Sequence, residues 1–165
     1  IQETDLPNTK SYPAGPDGEV IERTWSYDIH PIAGKGANIK KLITQDFKAG
    51  GSHKGIDYGH VKIGTDILAI ADGTVKKVYN DEHNGFGLDI THDKVDGVEY
   101  SSQYIHMEKL PTLTSNDSVK AGQVIGFVGN TGTSTGQHLH FQVKQLPKDA
   151  KFPVAVDPKL FYKTV

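Results

Sequence analysis

Nowhere in these 165 residues does a run longer than ten hold the 3.6-residue period of a helix. Apolar residues come instead in short bursts, each cut off by a turn. Ile67, Leu68, Ala69 and Ile70 form one burst, Asp72 and Gly73 supply a turn dipeptide, and Thr74 to Tyr79 resumes as a strand. Residues 86–91 and 98–106 read as a hairpin around 93–97, 123–128 as another strand, and 137–144 as the last strong one. Residues 129–136 are too rich in Gly, Thr and Ser for anything but loop, and Val156 to Tyr162 suits one closing turn. Glycine fills 18 of the 165 positions, as so many tight turns require. The expected fold is all-β: mainly antiparallel, either two packed sheets or a partly open barrel-sandwich, with few or no helices.

Four of the eight prolines fall within residues 1–38, so this stretch reads as an extended arm or linker, wrapping the body through Trp25, Tyr27 and Ile29. Residues 39–165 form the domain. Its segments 71–75 and 121–126 look alike, each a small-residue turn feeding a Val-rich strand, which suggests a duplicated β-unit. Lipoyl- and biotin-carrier domains use such units, but they carry a modifiable Lys at a hairpin tip that both turns lack. Eighteen basic against 20 acidic residues leave a net charge of −2, with no basic run longer than a pair, which argues against nucleic acid as a partner. No apolar stretch approaches the roughly 20 residues that span a bilayer. Cysteine is absent, which excludes disulfides, thiol catalysis and thiolate zinc sites. The chain opens with Ile1 rather than Met and suits an excised part of a longer polypeptide, acting as a monomer.

The eight histidines carry the chemistry. A zinc hydrolase needs three His, Asp or Glu ligands, an open position for water, and a base. His53 and Asp57 flank Gly55 in an extended segment, where residues 53, 55 and 57 face one way and the glycine leaves room for an ion. His92 and Asp96 repeat the spacing, but across a polar turn, where solvated turn residues are the better reading. His138 and His140 share one face of a strand while Leu139 and Phe141 point to the core. Read alone, that pair suits two surface histidines as well as two ligands. His106, after Tyr104 and Ile105, closes another strand, where a lone histidine is usually structural. His60 and His83 read as solvated loop residues.

Taken together, this order resembles the lysostaphin/LytM family of zinc peptidoglycan endopeptidases. His53-Lys54-Gly55-Ile56-Asp57-Tyr58 resembles its first metal motif, and residues 132–141, ending His138-Leu139-His140-Phe141, its second; residues 67–75 and 119–126 resemble the segments between. The resemblance implies that His53, Asp57 and His140 bind one Zn2+, and that His106 and His138 are uncoordinated catalytic residues. It implies a small β domain with a groove, here lined by Tyr104, Thr133, Ser134, Thr135 and Gly136. It also implies hydrolysis of cross-bridge or stem peptides of peptidoglycan, at an extracellular or cell-envelope location. The alternative is an inactive domain of the same family that binds wall or partner. Gln137 and Gln142 depart from the family's frequent Pro and Glu, both outside the expected metal shell. The Tyr that some members place just before the first metal histidine is missing from residues 46–52.

Overall fold

The computed structural model describes residues 10–14, 19–23, 25–27 and 29–162, so part of the expected arm lies outside the described residues. Strands β1 (Lys10–Ala14) and β2 (Glu19–Arg23) pair antiparallel as a ribbon of their own. Then follow β3 (Ile43–Gln45), β4 (Ile56–Tyr58), β5 (Asp66–Leu68), β6 (Gly73–Asp81), β7 (Gly85–Thr91) and β8 (Glu99–Met107). The last four are β9 (Ser118–Val119), β10 (Val124–Phe127), β11 (Leu139–Leu146) and β12 (Val154–Val156). The main sheet runs β3-β4-β11-β8-β7-β6-β9, with β12 also on β11, while β5 and β10 form a small second sheet. Every strand pair is antiparallel and the main sheet stays open, so the all-β expectation holds and no barrel closes. The closing turn expected near Val156–Tyr162 is the 3-10 helix Pro158–Leu160. A second 3-10 helix, Gly36–Leu42, was not foreseen, because seven residues hold too few turns to show a helical period.

Alternation fixes which side chains go where. Leu139, Phe141 and Val143 of β11 and Tyr100, Ser102 and Tyr104 of β8 point inward; His140 and Gln103 fall on the opposite face. The small sheet adds Ile67 and Ile125 to the same hydrophobic core. Trp25, Tyr27 and Ile32 join it as well: Trp25 stacks on Tyr100 at 4.8 Å, and Tyr27 Oη donates to the Pro158 carbonyl at 3.0 Å. From the stretch read as an arm, Trp25, Tyr27 and Ile32 are thus part of the core, while Ile29 is only half-buried. The look-alike segments 71–75 and 121–126 lead into β6 and β10, which lie in different sheets. They touch where Asp72 Oδ1 accepts from the Ala121 N–H at 2.8 Å.

His92 corrects an expectation. It is buried at 3% exposure, not solvated, because Trp25 covers it. Its Nδ1 lies 2.8 Å from the Asp72 carbonyl and its Nε2 2.8 Å from Ser102 Oγ, which is itself 2.8 Å from Tyr104 Oη. Burial lowers the His92 pKa, against the opposing hydrogen bond to Asp72 and the charges of Asp93 and Asp72. A histidine held neutral when folded but free to protonate near pH 6.5 when unfolded favours the folded state above that pH. Its contribution is lost progressively as pH falls from there toward the depressed folded value. Urea denaturation of metal-free protein at pH 7.5 and 5.5 should show a loss of stability that is smaller in His92→Gln.

Candidate active site

The site forms where β4 meets β11. Their register sets Asp57 opposite His140, and both lie on the face away from Ile56, Tyr58, Leu139 and Phe141, which are buried. His140 Nδ1 stands 2.7 Å from Asp57 Oδ1, and His53 Nε2 stands 3.3 Å from Asp57 Oδ2. His53 arrives from a tight turn closed by the Lys48 N–H donating to the His53 carbonyl at 2.9 Å. One donor atom from each of His53, Asp57 and His140 falls within 4.8 Å of the others. A tetrahedral zinc with bonds of about 2.1 Å needs ligand atoms roughly 3.4 Å apart, so this nitrogen and oxygen set fits that ion.

The far nitrogens are tied down too. His53 Nδ1 lies 2.9 Å from the Asp46 carbonyl, so that nitrogen carries the proton and Nε2 presents a lone pair. His140 Nε2 lies 2.7 Å from Gln142 Oε1, which leaves the Nδ1 lone pair facing Asp57 as the atom free to hold an ion. Gln142, expected outside the metal shell, touches the cluster through His140 and fixes the orientation of that ring. Burial pushes the Asp57 pKa up, but the His140 hydrogen bond and the charges of His140, His138 and His53 outweigh it, and the net effect is downward.

Two further imidazoles face this cluster. His138 Nε2 is 3.6 Å from Asp57 Oδ1, and its Nδ1 is 2.8 Å from the Gly136 carbonyl and 3.2 Å from Ser134 Oγ. The His106 ring lies 4.9 Å from that of His138, and its Nδ1 is 2.7 Å from the Thr131 carbonyl. Burial, with the His138 and His140 imidazoles adding to it, pulls His106 down to about 4 despite that bond. Both histidines thus hold Nδ1–H against a carbonyl and keep Nε2 as the basic atom.

His106 reaches the groove through strain. Strict alternation would send it inward with Tyr104. Instead its φ of +66°, a left-handed conformation that costs a non-glycine residue about 1 kcal/mol or more, turns it to the other face. The β7–β8 register slips nearby, between Phe86 and Leu88, and the His106 N–H donates to the Asn84 carbonyl at 3.0 Å.

A groove of about 480 Å3 runs over the cluster, lined by all five of these residues together with Thr133, Ser134 and Thr135. Tyr104 does not line it. The tyrosine is fully buried, its ring 5.4 Å from Phe141 and its Oη accepting from the Ile70 N–H at 3.2 Å, because its strand position faces the core. Gly136 is not among the lining residues either; it contributes its carbonyl to His138, and a Cβ there would meet nothing within 4 Å. The glycine that the loop does require is Gly132, with φ +78° and a Cβ position that would strike the Gly85 and His83 backbone. Gly55 also differs from expectation. It makes room not for an ion but for β11, since a Cβ there would collide with the Phe141 carbonyl oxygen and with Gln142 Cγ. Thr131, Asp46 and Asn84 were missed, because they act through backbone carbonyls that carry no residue-type signal. His60 and His83 are exposed, as expected.

Comparison with known proteins bears on the same region. Residues 51–156 match the sequence profile of Peptidase family M23. Glycyl-glycine endopeptidase ALE-1 of Staphylococcus capitis is 37% identical over 115 residues, 70% of this chain and 30% of that protein. Peptidoglycan DD-endopeptidase ShyC of Vibrio cholerae is 34% identical over 132 residues, 77% of this chain and 26% of that protein. The chain thus spans less than a third of the length of either relative. The catalytic domain of the antimicrobial peptidase lysostaphin from Staphylococcus simulans superposes with a TM-score of 0.57 at 29% identity, covering 97% of this chain and 96% of that one.

If β4–β11 contact sets the ligand geometry, Gly55→Ala should weaken divalent-metal binding by about tenfold or more, as misplaced ligand support does. Gly136→Ala should not. Competition titration of both variants against a chromophoric chelator measures this.

Proposed function

The chain belongs to peptidase family M23, and from that membership together with the site we propose that it is a zinc endopeptidase hydrolysing peptide bonds of bacterial peptidoglycan. The observation that carries the reading is the cluster itself: three ligand-type side chains on one face of β4 and β11, with two further imidazoles 4.9 Å apart beside them. His53, Asp57 and His140 would hold the ion. Bound zinc supplies a Lewis acid that polarises a carbonyl and brings the pKa of water near 7.

The remaining chemistry belongs to the chain. His138 and His106 keep basic Nε2 atoms, so either can take a proton from the attacking water and return it to the leaving amine. Protonated, they can also donate toward a developing oxyanion. This matters because the groove lining contains no tyrosine among the described residues. Thr133, Ser134 and Thr135 offer hydroxyls and backbone to an extended peptide. One chain supplies the whole site, so a monomer suffices. No helix among the described residues is long and apolar enough to cross a membrane.

ALE-1 is by its name a glycyl-glycine endopeptidase and ShyC a peptidoglycan DD-endopeptidase; both names support an endopeptidase, and the second supports peptidoglycan as the substrate. A peptidoglycan substrate would put this chain's work outside the cell or in the cell envelope. An inactive binding domain is not favoured, since all five site positions are filled.

Incubating purified peptidoglycan with the protein and identifying the fragments by mass spectrometry tests the reading: new amino termini should appear, and their absence counts against it. Variants divide the roles. His53→Ala and His140→Ala should lose zinc and activity together. His106→Ala should retain zinc and lose roughly 10²- to 10⁴-fold in rate, the usual cost of a missing proton-transfer group. Zinc content and turnover read on the same preparations distinguish these outcomes; loss of zinc from His106→Ala would make it a ligand instead.

A further inference from the structure

A second cavity, of about 400 Å3, adjoins the groove and shares Gly51, Lys54, Gln103 and Gln142 with it. Its origin is a gap in the sheet edge. On the same side of β11, β4 pairs with residues 139–141 and β12 with 143–145, so Gln142 faces neither. The cavity opens there, walled by Pro153, Val154 and Ala155 on one side and by the turn before His53 on the other.

Its charge is one-sided. Lys48, Lys54 and Lys144 line it and no carboxylate does. None of the three lysines makes an ion pair among the described residues, whereas Lys120 and Lys159 elsewhere do. Asp89 on β7 feels the Lys144 charge, but it lies outside the lining and accepts from Tyr79 Oη at 2.7 Å. The Gln103 and Gln142 amides, opposite each other across β8 and β11, complete the floor. Three ammonium groups and two amides around an otherwise apolar cavity suit a carboxylate.

The position relative to the cluster is set by the strand. His140, Gln142 and Lys144 alternate onto one face of β11, so at about 3.3 Å per residue the cavity lies roughly 7–13 Å along from His140. An extended peptide crossing the cluster would place a residue about two to four positions from the cleaved bond in it.

We propose that this cavity is a carboxylate-binding subsite, which selects peptides bearing a free carboxylate on that side of the scissile bond over neutral ones. The inference rests on the peptidase reading, which makes a peptide the occupant of the adjoining groove. Continuity with that groove also favours a peptide over a phosphate polymer.

The test uses a cross-linked muropeptide with its carboxylates free, and the same molecule with them converted to carboxamides. Calorimetric titration into metal-free protein at low salt should show the free-acid form binding about tenfold or more tightly, the ratio expected of one charge-assisted hydrogen bond. The ratio should shrink as salt is added. Lys54→Met with Lys144→Met should abolish the preference, while Lys120→Met, the same change of net charge elsewhere, should keep it. The single Lys54→Met, at an exposed position, replaces the double variant if that proves unstable. Equal affinity for both forms, an unchanged ratio in the lysine variants, or tighter binding of a phosphate polymer would each overturn the subsite. Hydrolysis by the zinc-loaded protein is measured separately: a retained preference without hydrolysis would contradict the peptidase reading and leave the subsite standing.

Discussion

The short antiparallel contact between β4 and β11 is the constraint from which the rest of the site follows. Three residue pairs register Asp57 against His140, and Gly55 lets the strands approach where any side chain would strike the Phe141 carbonyl. The same contact buries Ile56, Tyr58, Leu139 and Phe141, so core packing and ligand placement are one event. Side chains carried on paired strands over a hydrophobic core are fixed in advance, which would remove an ordering cost from binding an ion there.

Around that contact the chain spends backbone carbonyls to set proton positions. Asp46, Thr131 and Gly136 each present a carbonyl to one histidine Nδ1, and Gln142 presents a side-chain oxygen to His140 Nε2. Each bond chooses a tautomer, and together they leave two imidazole lone pairs beside Asp57 and two more facing them. The strained φ at His106 belongs to the same design, since it is what brings a fourth imidazole out of a strand position that faces the core.

Much of this was legible from residue order. The strands and turns follow from period-two alternation, and the motifs are specific enough to indicate the family and to single out five residues that the structure brings together around one groove. What was not legible has a common cause. The family resemblance put Tyr104 in the groove, but its strand position faces the core; only His106 is turned out, by a local backbone irregularity, and nothing in Tyr104-Ile105-His106 announces a positive φ. His92 was read from a polar turn, whereas its burial depends on Trp25, 67 residues away in sequence. Gly136 drew attention as a glycine in a loop, while the backbone requirement sits at Gly132. In each case the deciding feature lies outside the local residue pattern: a backbone irregularity at His106, the distant Trp25 ring over His92, and the packing of Gly132 against the Gly85 and His83 backbone. The lysine cavity could not have been foreseen either, because the gap between β4 and β12 exists only once both strands are paired with β11.

The central claim is that a pre-arranged His53–Asp57–His140 set holds one catalytic zinc. Titrating zinc into chelator-stripped protein, while following bound metal and fragment release from peptidoglycan in the same vessel, tests it most directly. Hydrolysis should be absent at the start and rise in proportion to bound zinc until one ion per chain is reached. Full hydrolysis in verified metal-free protein, or one bound zinc with no release of fragments, would contradict it.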